Sequence, residues 1–263
     1  MPHPASPPKG VNPWAATVLL LMGNFMNLID VSIVNVALPS IRTDLGASET
    51  QIEWISAAYV LAFAVGLLPC GRFGDKLGRK RLFLSGVGLF TLASVLCGLA
   101  PDINVLIGAR ALQGIGGAMM VPQVMAIMHV IFPPEQKAKA FALAGVVISL
   151  GAVTGPLLGG VLISGNLYGL EWRPIFLVNL PVGLLVVSAG FWLIPRLESS
   201  RDMAIDWWGV GLFGLAITLV VLPMIEGPLL GWPWWTLAAL VAAIPVGALF
   251  LQRQRALEAA DRE

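Results

Sequence analysis

Two ionisable residues lie in the middle of long apolar stretches of this sequence: Asp30 in FMNLIDVSIVNVALP and Arg110 in VLIGARALQGIGG. At bilayer depth each costs roughly 2.5–3.5 kcal/mol on insertion scales, so a helix serving only as an anchor would carry leucine there. Charges buried in a multi-helix membrane protein usually line a path for a substrate, an ion or a proton. The carboxylate is a candidate proton carrier, because desolvation disfavours its charged form. Arginine keeps its charge, so Arg110 has to be paired or hydrated. On a helix, Asn24, Asn27, Asp30 and Asn35 share an arc of roughly 140° that should face protein or water rather than lipid. Interhelical hydrogen bonds would account for the three asparagines, though not for Asp30. Gln113 shares a face with Arg110, and Gly114 and Gly117 beside them admit a second backbone or a ligand. These polar positions are the candidate lining of a cavity.

The elements that must position them are membrane helices. Of 263 residues, 57% are hydrophobic and 12% charged, against about a quarter charged in soluble domains. Eight apolar stretches are long enough to cross a bilayer, at about 15–38, 52–70, 82–100, 104–131, 140–164, 174–194, 205–225 and 234–251. The expected class is an all-α polytopic membrane protein. Residues 1–13 read as a disordered tail and 14–195 as a six-helix domain. Residues 196–204 read as a linker, 205–251 as a further helix pair and 252–263 as a second tail. Lys and Arg crowd the N-terminal tail and the loops at 71–81, 132–139, 195–204 and 252–263, whereas the opposite loops hold only Arg42 and Arg173. The positive-inside rule then puts both termini in the cytoplasm and the protein in a plasma membrane. Tryptophans agree, since all nine fall near helix ends, where amphipathic rings prefer the headgroup layer.

Depth brings the two charges together. Asp30 is about 13 Å in from Pro39, and Arg110 about 9 Å inside the same end of its helix. Direct or water-mediated electrostatic communication between them is expected. The loop GRFGDKLGRKR sets Asp75 among bases and Gly71, Gly74 and Gly78, so that Asp75 can take charge-assisted bonds from arginine. Such a cluster can latch one conformation and release in another. Further on, Gly151, Gly155 and Gly159 form a smooth stripe for close helix packing, and Pro156 removes a backbone bond. Cys70 and Cys97 have no metal-ligand spacing and read as small buried hydrophobes. His3 and His129 are the only histidines, no Ser/His/Asp or Cys/His set is available, and an enzyme or a nucleic-acid binder is not expected.

In this order and spacing the segments resemble the major facilitator superfamily, specifically its 14-helix drug:proton antiporters. The resemblance rests on Asp30-Val31-Ser32 through Val36-Ala37-Leu38-Pro39; on Gly71, Asp75, Gly78, Arg79 and Lys80; and on Arg110, Gln113 and Gly114. It rests also on the full G-x-x-x-G-P-x-x-G-G run from Gly151 through Gly155, Pro156 and Gly159 to Gly160, and on WRPIFLVNLPVG from Trp172. Ser32 departs from the usual threonine, and Phe73 and Gly74 from the usual Leu-Ala. The resemblance implies proton-driven, alternating-access efflux of hydrophobic or cationic small molecules, including antibiotics, with no cofactor. It implies two inverted three-helix repeats, coupling through Asp30 and Arg110, a cytoplasmic gate around Asp75, and exchange supported by the fifth helix. Spans seven and eight match the central pair of the 14-helix branch. The chain covers the first half of that fold, so two-sided transport would need a second copy or a separate second half. A non-transporting half or membrane module is the alternative.

Overall fold

The computed structural model describes residues 12–165, 169–197 and 206–260. Of the tail expected at 1–13, residues 1–11 lie outside them, as does most of the 196–204 linker, and Pro13 already belongs to the first helix. Among the described residues every regular element is helical: α1 (Pro13–Leu45), α2 (Glu49–Leu77), α3 (Arg79–Gly98), α4 (Ile103–Ile131), α5 (Pro134–Ser164), α6 (Pro174–Leu177), α7 (Asn179–Leu193), α8 (Trp207–Leu230) and α9 (Trp234–Ala260). With α6 and α7 forming one crossing over Pro174–Leu193, eight helices are long and apolar enough to span a bilayer.

Helix starts follow the local chemistry. The Asn12 side chain accepts from the backbone N–H groups of Trp14 and Ala15, and Asp102 does the same for Asn104 and Val105. Ser48 and Gln51 form a reciprocal capping box at the start of α2. Gly46 closes α1 in the left-handed region at φ 60°, as a C-terminal glycine does.

Several boundaries differ from the sequence reading, four of them at places that matter for the site or the ends of the bundle. First, α1 does not stop at residue 38 but runs through Pro39 to Leu45, because a proline removes one ladder bond and the helix can resume outside the lipid. Second, most of the expected 71–81 loop is helix: α2 reaches Leu77, Gly78 alone turns the chain at φ 97°, and α3 begins at Arg79. Third, the expected tail at 252–263 is helical as far as Ala260. Fourth, the sixth crossing is divided at Val178, where Pro181 has no N–H to offer the Leu177 carbonyl.

α4 packs between α2 and α3, α1 packs between α5 and α7, and α1–α4 and α3–α7 contacts join the two sets. α8 lies against α2 and carries α9. Two apolar clusters fill the bundle. One, at the end where α1 begins, contains Leu20, Phe83, Phe90, Met120 and Ile127. The other contains Ile33, Ile41, Ile55, Leu106 and Phe176. Residues such as Leu157 and Val161 on α5 and Val241 and Ile244 on α9 are about two-thirds exposed. That suits a lipid-facing or partner-facing surface and no aqueous one.

Candidate functional site: a buried ion pair between two apolar clusters

Asp30 and Arg110 meet directly. Arg110 Nη1 donates to Asp30 Oδ2 at 2.5 Å, and the two side chains are 0% and 1% exposed. Of the direct and water-mediated arrangements expected, the direct one is present. The other Asp30 oxygen accepts from Gln113 Nε2 at 3.0 Å and from Asn179 Nδ2 at 3.0 Å. Arg110 also donates to Gln113 Oε1 (2.8 Å) and, through Nε, to the Ile55 carbonyl (3.2 Å). Its guanidinium lies 4.4 Å from the centre of the Tyr59 ring, a cation–π contact.

The network reaches further. Gln113 and Asn179 both donate to Ser94 Oγ, at 3.1 and 2.8 Å, and Ser94 donates to the Phe176 carbonyl. Tyr59 donates its hydroxyl to Asn27 Oδ1 at 2.5 Å, and the Cys97 thiol contacts Gln113 Oε1. Side chains from α1, α2, α3, α4 and α7 thus share one polar knot. Among the described residues no buried side-chain nitrogen or oxygen lacks a partner.

Glycine makes this closeness possible. At Gly114 an added Cβ would press on the Tyr59 carbonyl oxygen and come within 3.1 Å of Phe63 N. Of the second backbone or ligand expected beside Arg110, it is the α2 backbone that comes close at Gly114. At Gly117 a Cβ would lie 2.9 Å from Asn27 Oδ1.

Of the expected cavity residues, Asn24, Asn27 and Gln113 are buried in the bundle. Asn35 is not: it is exposed and turns its amide back to the Val31 carbonyl at 3.4 Å. It sits at the edge of the stripe. Trp172 also departs from the headgroup expectation, being fully buried with its indole donating to Asp44. Trp192, Trp208 and Trp234 are at least three-quarters exposed near helix ends.

The Asp75 cluster assembles at the end where α2 and α3 join. Arg79 pairs with Asp75 at 2.8 Å and donates to the Ala126 carbonyl of α4. Lys80 donates to the Phe191 and Ile194 carbonyls at the end of α7. Gly78 supplies the positive φ, while a Cβ on Gly71 would meet nothing within 4 Å. On α5, Gly151, Gly155 and Gly159 face Leu28, Ser32 and Ile33 of α1, and Pro156 points outward. Gly160 lies outside this contact.

Three comparisons fit this arrangement. The Major Facilitator Superfamily pattern matches residues 20–257. The chain belongs to the Major Facilitator Superfamily. It is 41% identical over 92% of its length to a probable actinorhodin transporter of Streptomyces coelicolor, covering 42% of that protein. It is 34% identical over 97% of its length to the tetracenomycin C resistance and export protein of Streptomyces glaucescens, covering 47% of it. To the multidrug resistance protein Stp of Mycobacterium tuberculosis it is 39% identical over 89% of its length, covering 43%. The chain spans less than half the length of these relatives.

Among solved structures, a bacterial homologue of the lysosomal transporter Spinster, inward-facing and unoccupied, matches with a TM-score of 0.62. The identity is 21%, over 82% of this chain and 54% of that one. A peptide transporter matches at 0.63 with 16% identity, over 80% and 50%. At such identities the likeness shows the fold. As a member of this superfamily, with eight helices among the described residues long and apolar enough to cross a bilayer, the chain is a multi-pass membrane protein.

Several participants escaped the sequence reading. Asn179 lay inside a quoted motif, and an amide amid LV–LPVG was its signal. Tyr59 is one of only two tyrosines and sits mid-span, where the tryptophans do not. Ser94 gives no signal, since a small residue in an apolar helix reads as packing. Glu226, whose carboxylate accepts from the Trp54 indole at 2.5 Å, is a mid-sequence acid the reading passed over.

Proposed function

We propose that this protein takes part in proton-coupled export of hydrophobic or cationic small molecules, antibiotics among them, across the plasma membrane by alternating access. The observation that carries the reading is the Asp30–Arg110 pair, wholly removed from solvent and bonded at 2.5 Å. A proton arriving on Asp30 cancels its charge and leaves Arg110 to find another partner. Gln113, Asn179 and Tyr59 hold the two groups in register and feel the change at once, because each bonds or stacks on one of them. The proton gradient is the energy source and no cofactor is called for. A probable actinorhodin transporter and a tetracenomycin C resistance and export protein among the relatives support the substrate class.

In this reading the basic end of the bundle is cytoplasmic, with both termini on that side. Asp75, Arg79 and Lys80, with Gly71 and Gly78, form the gate there. The Gly151–Gly160 run lets α1 slide on α5 as the bundle changes state. A cavity built against a second six-helix half, from a longer chain or another copy, completes the path. Ethidium efflux from cells holding the protein in their membranes is the test. Efflux should vanish in Asp30→Asn and on adding a protonophore. Undiminished efflux in Asp30→Asn would overturn the assignment of Asp30.

A further inference from the structure

A groove of about 280 Å3 runs along the seam between α3 and α7. Gly88, Leu92 and Val95 of α3 and Leu180, Gly183 and Val187 of α7 line it. Missing side chains create the hollow. A Cβ on Gly88 would meet nothing within 4 Å, and Gly183 stays bare because a Cβ there would strike Thr91. The one hydroxyl in the wall, that of Thr91, is spent on the Val87 carbonyl at 2.7 Å. The trough therefore offers methyl and methylene surface with no unsatisfied polar group, a surface that suits an acyl chain. Leu92 and Leu184, about 60% exposed, stand at its rims, so it opens sideways to the bilayer.

One end of the trough is basic. Arg81 lies seven residues before Gly88, about 10 Å along α3 and within about 20° of the same face. α7 runs the opposite way, and Lys80 ties its last carbonyls to the start of α3. Arg196 follows just beyond, near enough for its charge to be felt at Lys80. Arg81 and Arg196 are both exposed, and among the described residues neither is held in an ion pair. A pair of unengaged cations at headgroup level above an apolar trough matches one lipid class in both charge and shape.

We propose that the α3–α7 groove is a binding site for an anionic phospholipid. Its phosphate sits between Arg81 and Arg196, and one acyl chain lies in the trough beside Gly88 and Gly183. The proposal needs nothing from the transport reading.

Native mass spectrometry of the 263-residue protein, released from nanodiscs of equal phosphatidylglycerol and phosphatidylcholine, tests it. The unaltered protein should retain phosphatidylglycerol preferentially. Each basic side chain near a membrane surface contributes about a fivefold preference, so Arg81→Gln/Arg196→Gln should lower the selectivity roughly 30-fold. Gly88→Leu, where an added Cβ meets nothing within 4 Å, puts a side chain into the trough and should abolish retention of that lipid. Gly145→Leu, on α5 where a Cβ also meets nothing, should change nothing. Equal retention of the two lipids by the unaltered protein would overturn the proposal. So would a preference that survives the double arginine change, or a lipid held as firmly after Gly88→Leu.

Discussion

Removing either member of the Asp30–Arg110 pair should cost more than removing both. In Asp30→Asn the guanidinium keeps the Ile55 carbonyl, Gln113 Oε1 and the Tyr59 face but loses its only anion. In Arg110→Met the carboxylate keeps two neutral amide donors, from Gln113 and Asn179, and no cation. Stranding one charge of a buried pair costs about 3–5 kcal/mol, and both variants should fall in that range. The double variant is neutral and can satisfy itself. Gln113 Oε1, released by Arg110, can accept from the new amide at position 30, while the amide oxygen there still accepts from Gln113 and Asn179. Methionine fills much of the space left by the arginine stem. The double variant should thus lie within about 2 kcal/mol of the unaltered protein, because neutral replacement of a buried pair is often tolerated. The implied coupling is at least about 4 kcal/mol, beyond the range of about 0.5–3 kcal/mol usual for neighbouring residues. Unfolding in mixed micelles with increasing dodecyl sulfate, followed by helical circular dichroism, measures all four proteins. Costs that add within about 0.5 kcal/mol would refute the argument, since the pair would then be no energetic unit.

Two further changes probe the helices around this knot. Gly155→Ala puts a methyl 2.8 Å from Ser32 Cβ and 3.0 Å from the Ile29 carbonyl. It should lower stability by about 1–3 kcal/mol, whereas Gly160→Ala, with open space, should raise it by about 0.5–1 kcal/mol; the same micelle titration reads both. At the start of α8, the hydrogen bond from Arg253 holds the Asp206 carboxyl below its ordinary value. A depressed carboxylate contributes stability above its unfolded-state value and loses it as pH falls through the folded one. Acid below about pH 4 should therefore loosen the α8–α9 clamp. Protection of the Gly209 and Val210 amides, taken relative to their intrinsic exchange rates, should fall in acid, and in Asp206→Asn, which has no carboxyl to titrate, that fall should be absent.

How much of this was legible depended on whether a feature was local. Hydropathy located all eight crossings, because about 20 apolar residues in a row have few other uses. Counting residues inward from Pro39 placed Asp30 level with Arg110, and the two are in contact. Boundaries were less legible: a hydropathy window cannot tell where lipid ends from where a helix ends. The Asp75 segment and the residues after Leu251 stay helical past the apolar run for that reason. Least legible were the partners supplied by tertiary contact. Ser94 and Asn179 join the site only because α3 and α7 pack side by side, and neither carries a charge that would have marked it. Asn35 shares a stripe with Asp30 but is exposed, since burial depends on neighbours that the stripe does not specify.

The position of the knot in the bundle bears on why it is there. It lies at the junction of two apolar clusters, where leucine and methionine would continue the packing on both sides. Buried ion pairs are often no more stabilising than well-packed apolar side chains of similar volume. Tolerance of the neutral double variant would mean that stability alone does not account for the pair. What an apolar plug cannot do is change state: it carries no proton and loses no partner. Asp30 joins α1, α4 and α7 through its two oxygens, and Arg110 adds α2 through Ile55 and Tyr59. One protonation event at Asp30 therefore alters hydrogen bonds or charge contacts to four helices together. That four-helix linkage is what the proposed proton coupling draws on.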